Sequence, residues 1–559
     1  MPVWLLIVLL AMPSAMLAGA LAQFHESIVF RSIQFPFDHI AYVYEGAVAY
    51  KRLGDLSATS IALGWFHTDI RGVLLQMLML FLFPAAFSIP FGYQIVTIPV
   101  FAVGVAALGW FAYGRSRSIV YAWLAMAAFC FLPFIFVWHT GLGVFLPDIP
   151  AAMMVLTAGC LLLLSERGRK LEMIAGFAIC AAVAINIRYV SALYTAAMFG
   201  PLVFAYALLR AIEARSWKPA AELLALVGGI IIFVSGIGLA LRFIPVIGMY
   251  ASEGAVAFPI DQSADWYWKK FKEFYGDFWI VGALALIFAL NVLLAARRSG
   301  WAMLLETAWP AIAHTVVMIF VLRVVGHETA SYYAFPFVFL FAVGPMQWAA
   351  GHRRLRWAHP ILCSGLLAVM GLGVSSYNQD IATAKALPDD FKIYKNLAVD
   401  LGDRVAHEGD KIVWATFFDH FVLQAALEAY FETGILSMGA GEDPYFHTRD
   451  APLRHLYEGK TPEEAAQSVI GRINKYVDLV VVLEDPDTAA TELPRHAIDS
   501  PYSIAIARDV ARFVEKDPGW QRAFELDKTP YGRLAAYRNI QATKVKDAYD
   551  RRLRAEILQ

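Results

Sequence analysis

Charge is scarce in this chain. Only 17% of its 559 residues are Asp, Glu, Lys or Arg, and the two signs nearly cancel to a formal net charge of −1. Without excess positive charge there is no field to hold a nucleic-acid backbone, and no segment resembles an RNA- or DNA-binding patch. Cysteine is scarce as well. Cys130, Cys160, Cys180 and Cys363 all lie in apolar runs and none in the polar segments, which excludes a cysteine zinc site or a disulfide framework there and leaves the four as packing residues.

What fills the sequence is apolar. Hydrophobic residues make up 59% of it, and the mean hydropathy is +0.55. Several runs reach the ~20 residues that a helix needs to cross a bilayer. The chain reads as an α-helical polytopic membrane protein of about eleven spans, near 3–22, 93–113, 119–138, 149–165, 171–187, 191–211, 220–243, 278–296, 303–324, 332–350 and 359–377.

Basic residues set the sidedness. With the amino terminus inside, the loops GRSRS, SERGRK, IEARSWK, AARRSG and GHRRLRW are all cytoplasmic, while the loop 139–148 carries no Lys or Arg. This parity requires that the apolar stretch 74–92, which contains two prolines, does not cross. If it crossed, Arg115, Arg117, Arg167, Arg169 and Lys170 would move to the outer face, so the stretch is read as interfacial or re-entrant. The first span ends in AGALA, which looks like a signal-peptide cleavage site, but it lacks a basic start and is read as a retained helix.

Past Tyr377 the character changes. Residues 379–559 lose the long apolar runs and gain charge. KIVWATF predicts a strand, HFVLQAALEAYFETG a helix, VDLVVVLED a buried strand, 502–516 a helix, and FELDKT with RLAAYRN a terminal strand pair. Two domains follow: 1–378, membrane-embedded with an outer loop at 23–92, and 379–559, a soluble α/β domain large enough for its own core. An odd number of spans places the second on the extracytoplasmic side.

Two aspartates sit where such a chain least tolerates them. Asp38 follows the first span in FPFDHIAYVYEGAVAY, and Asp148 borders a later one in VFLPDIP, both on the outer face. A carboxylate at a membrane boundary is costly unless it is paired, hydrated or used. If the segment after Phe37 is helical, Asp38, Tyr42 and Glu45 share one face; the bland alternative is an interfacial helix whose polar side meets water. Asp148 is also placed to cap the following helix, with Pro150 in its first turn. Arg188, Arg242 and Arg323 lie at outer span ends, where each either snorkels to headgroups or joins a phosphate site.

A first helix, an acidic residue in the outer loop after it, an apolar interfacial segment, a second acidic residue before a later helix, and the late loop GHETASYYAFP together resemble the GT-C superfamily of membrane glycosyltransferases. Within it, the chain is similar to bacterial polyprenyl-phosphate-sugar-dependent enzymes of the aminoarabinose-transferase and protein-mannosyltransferase kind, over roughly residues 1–378. The resemblance implies a multi-pass protein of the bacterial inner membrane. It implies transfer of a hexosyl or pentosyl group from a polyprenyl-phosphate donor to an envelope lipid, glycan or protein, with inversion. It makes Asp38 the candidate base and Asp148 its catalytic companion. Arg188, with Arg323 and Arg242, becomes the candidate donor-phosphate contact, and Tyr42, Glu45, His327, Glu328, Tyr332 and Tyr333 become candidates for the substrate cleft. No metal ligands are assigned; His39 follows Asp38 where some members pair two acids, so a divalent cation stays open. The main rival is a lipid or glycan transporter or flippase with an outward cavity, which accounts for the intramembrane ionisable groups but leaves the outer α/β domain unexplained. A scaffold protein leaves both aspartates unexplained.

Overall fold

The computed structural model of the chain describes residues 94–136, 147–249, 301–324, 358–385, 414–416, 461–484 and, with short gaps, 279–289 and 501–541, besides a few isolated positions. The chain divides into two compact units: Met1–Val29, Gly64–Met79 and Tyr93–Leu387 make the first, and Phe30–Leu63, Leu80–Gly92 and Pro388–Gln559 the second.

The described part of the first unit is helical: α1 (Gln94–Ser116), α2 (Ile119–Cys130), α3 (Asp148–Leu164), α4 (Leu171–Ile187), α5 (Ser191–Ala214), α6 (Lys218–Met249), α7 (Trp301–Val324) and α8 (Ala358–Lys385). Among the described residues, α1, α5, α6 and α8 contain stretches long and apolar enough to cross a membrane, and α2, α3, α4 and the middle of α7 are shorter apolar helices. These helices are hydrophobic nearly all round, as lipid-embedded helices are. In α5 the buried residues Tyr194, Met198, Leu202 and Tyr206 recur at helical spacing, while Phe204, Leu208 and Ile212 on other faces stay exposed. On α6, Phe233 is 92% exposed, as a lipid-facing side chain is.

The predicted span 119–138 is interrupted. Helix α2 stops at Cys130, and Pro133 opens a 3₁₀ turn, Pro133–Ile135, after an extended Leu132. Proline favours this, because its ring disfavours α-geometry in the residue before it. Helix α8 closes on the break so tightly that a Cβ on Gly373 would lie 2.1 Å from the Phe131 carbonyl oxygen. Further along α8, the Tyr377 hydroxyl donates to the Ala20 carbonyl at 2.8 Å.

The turns between helices meet at one end of the bundle. Arg115, in the last turn of α1, donates to Leu163 O at the end of α3 at 2.7 Å. Arg167, between α3 and α4, pairs with buried Glu306 of α7 at 3.0 Å, and Arg115 approaches the same carboxylate at 4.0 Å. Arg210, near the end of α5, donates to Gly168 O at 2.9 Å. Gly168 has φ +81°, and a Cβ there would come within 2.5 Å of Leu223, so the turn requires glycine. Across the α1–α2 junction, Ser118 Oγ lies 3.0 Å from His359 Nε2 at the start of α8. The basic segments GRSRS, SERGRK and IEARSWK thus gather at one end, with Asp148 and Arg188 at the opposite ends of their helices.

In the second unit the described residues form a four-stranded sheet of order β1-β2-β4-β3, from β1 (Trp414–Thr416), β2 (Leu479–Leu483), β3 (Trp520–Thr529) and β4 (Gly532–Asn539). Strand β1 runs parallel to β2, and the other pairings are antiparallel. Helices α9 (Pro462–Tyr476) and α10 (Pro501–Lys516) cover one face, packing Val469, Ile473, Val510 and Val514 on Val480, Val482, Ala535 and Tyr537. The alternate residues Leu479, Val481, Leu483, Leu534 and Ala536 are buried too, as an unbroken VDLVVVLED strand predicts. Thr461 and Glu464 close a reciprocal capping box at the start of α9. The expected helix in HFVLQAALEAYFETG lies outside the described residues.

Candidate functional site

Asp148 opens α3 and Arg188 follows the last residue of α4, so two neighbouring antiparallel helices bring an acid and a base to one end. Arg188 Nε lies 2.9 Å from Asp148 Oδ1, with the aspartate side chain 1% exposed and the arginine 11%. Each charge also complements a helix end: the carboxylate lies at the positive amino terminus of α3, and the guanidinium at the negative carboxyl terminus of α4. Burial at this depth demands such pairing, because an ion left alone there would cost several kcal/mol. Arg188 is extended (φ −151°, ψ 119°) while its N–H still bonds Ala184 O, so the chain leaves the helix here and turns into α5.

One sequence expectation changes: Asp148 does not cap α3; Pro147 holds the cap position without a side-chain bond, and Asp148 is the first helical residue. Its carboxylate turns inward because Arg188 supplies there the countercharge that water would otherwise provide.

Further polar groups lie near this end. Tyr194, in the first turn of α5, faces His314 of α7 with ring centroids 5.2 Å apart, and both are buried. Thr195 is 5% exposed, and its hydroxyl has no partner among the described residues. Trp309 of α7 donates from Nε1 to Ala197 O at 3.1 Å. At the end of α4, Asn186 bridges to Ser235 of α6 at 3.0 Å. Sequence reading missed His314, Asn186 and Ser235; the available signal was a His, an Asn or a Ser inside an apolar run, which in a membrane is either bonded or functional.

Of the other candidates, Arg242 falls within α6 and Arg323 in the last turn of α7, their side chains outside the described residues. Asp38, Tyr42, Glu45, His327, Glu328, Tyr332 and Tyr333 also lie outside the described residues. Among the described residues no group of three or more His, Cys, Asp or Glu side chains is placed to hold a metal ion.

No protein-family model matches the sequence, and the search of curated proteins finds no match. Solved structures do match. The crystal structure of ArnT from Cupriavidus metallidurans bound to undecaprenyl phosphate superposes with a TM-score of 0.54 at 11% identity, covering 94% of this chain and 97% of that one. The apo ArnT structure gives 0.48 at 11% identity, over 93% and 96%. The likeness to the undecaprenyl-phosphate-bound structure is one of fold, a mostly helical, ArnT-like architecture. The GT-C resemblance read from the residues and this likeness in fold agree.

Proposed function

We propose that this protein is a glycosyltransferase that moves a sugar from a polyprenyl-phosphate donor to an envelope lipid, glycan or protein at the outer face of the bacterial inner membrane. The observation that carries the reading is the buried Asp148–Arg188 pair on a chain with the fold of a protein crystallised with undecaprenyl phosphate. An arginine held at a membrane-helix end by a buried carboxylate is suited to an anionic headgroup. A guanidinium presents its donors as a planar fork, the shape that matches a phosphate.

In this mechanism Asp38 accepts the proton of the acceptor hydroxyl or amine as that group attacks the anomeric carbon. The bond from the anomeric carbon to the phosphate oxygen breaks, polyprenyl phosphate departs, and Arg188 stabilises the charge that grows on it. A single displacement inverts the anomeric centre. Asp148 holds Arg188 in position and keeps its charge in place. The transferred group is a hexosyl or pentosyl unit.

The test is transfer in vitro by detergent-purified protein, using a set of radiolabelled polyprenyl-phosphate sugars and envelope lipid and glycan acceptors. The reading expects label in the acceptor with release of the polyprenyl phosphate. No transfer from any donor, together with transbilayer movement of the same lipids in proteoliposomes, would replace it with the transporter reading.

A further inference from the structure

Two residues before Arg188, Asn186 turns its side-chain amide across the bundle. Its Nδ2 lies 2.9 Å from Ala182 O in its own helix, 3.0 Å from Ser235 Oγ and 3.3 Å from Val234 O in α6. The Ser235 hydroxyl accepts from Asn186 and donates in turn to Ala182 O at 3.2 Å, closing a small polar ring inside an apolar helix pair. Ser235 is 2% exposed, so the ring is shielded from competing water.

The ring fixes the last turn of α4 against α6, while the Asp148–Arg188 pair fixes the residue after that turn against α3. Arg188 has left helical geometry, so its helix no longer directs its side chain. The guanidinium is aimed by where the turn ending at Ile187 sits. A polar bridge between apolar helices contributes little to holding them together, because dispersion already does so. What it adds is direction, since it admits one rotation of α4 relative to α6.

We propose that Asn186, locked to Ser235, is a positioning residue that aims the Arg188 guanidinium at the donor phosphate. The inference rests on reading Arg188 as the donor-phosphate contact. A misplacement of about an ångström at a reacting centre can cost on the order of a hundredfold in rate.

The experiment is a binding cycle on the full-length protein in detergent, with undecaprenyl phosphate as the probe. Binding is read by intrinsic fluorescence and folding by thermal melting, for the parent, Asn186→Ala, Arg188→Ala and the double variant. Asn186→Ala should melt near the parent, bind roughly tenfold more weakly, and add nothing when Arg188 is already Ala. Ser235→Ala, which leaves the Asn186 bond to Ala182 in place, should weaken binding in the same direction. It also carries the test if Asn186→Ala does not fold. Unchanged affinity in Asn186→Ala, or losses from Asn186→Ala and Arg188→Ala that multiply independently, would overturn the positioning role. A parent protein that does not bind undecaprenyl phosphate would instead overturn the donor reading itself.

Discussion

Asp148 and Arg188, at the ends of adjoining helices, meet at 2.9 Å with the carboxylate 1% exposed, so each is the other's countercharge in an apolar setting. Removing one partner takes a countercharge from the other. Asp148→Asn should therefore destabilise the protein by about 3–5 kcal/mol, measured by thermal or denaturant melting, and should also depress transfer. The double change Asp148→Leu with Arg188→Met should recover most of that stability while leaving transfer abolished, since a buried pair replaced by apolar groups is often neutral for folding. A double variant that melts normally and transfers normally would separate the pair from function.

Gly373 packs against the Phe131 carbonyl where α2 breaks. Its absent Cβ would sit 2.1 Å from that oxygen, whereas Gly371 on the same helix has open space. Gly373→Ala must push backbone from backbone and should cost about 1–3 kcal/mol, while Gly371→Ala should be silent or slightly stabilising. Equal melting temperatures for the two variants would contradict this packing of α8.

Glu306 ties α7 to the opposite end of the bundle, taking Arg167 at 3.0 Å with Arg115 at 4.0 Å. Glu306→Gln keeps the shape and removes the charge, leaving two arginines facing each other. The melting temperature should fall by several degrees, in line with a loss of about 2–3 kcal/mol. Donor affinity, which depends on the far end, should not change.

The class of the chain was legible in composition. The helical stretches from Gln94 to Met249 were legible in their apolar runs, and the gathering of their basic turns at one end followed from charge alone. The sheet was legible in VDLVVVLED because its residues are apolar on both faces. What escaped was relational. Nothing local in LPDIP and INIRYVS says that their charges touch, because that contact depends on how α3 and α4 pack. The same holds for Asn186 and Ser235. The α2 break was signalled by Pro133, but hydropathy averaged over a span conceals a single proline. The residues from Asp38 to Glu45 and the loop from His327 to Tyr333 rest on sequence pattern alone.

Sidedness is testable without catalysis. In a background with Cys180 and Cys363 replaced by serine, Asp261→Cys, between the spans read from the sequence near 220–243 and 278–296, should react with an impermeant maleimide in intact cells, and Ser299→Cys, beside two arginines, should not. The reverse pattern would invert the topology and place the site in the cytoplasm.

The most direct test of the central claim is transfer from a polyprenyl-phosphate sugar by the parent, Arg188→Ala and Arg188→Lys, each at limiting and saturating donor. Loss of a contact to charge that develops in the transition state should lower kcat/KM by about a hundredfold or more in Arg188→Ala, with kcat falling alongside donor affinity. Arg188→Lys, which keeps the charge but loses the fork, should fall between. Parental turnover by Arg188→Ala at both donor concentrations would contradict the account and move the phosphate contact to Arg323 or Arg242.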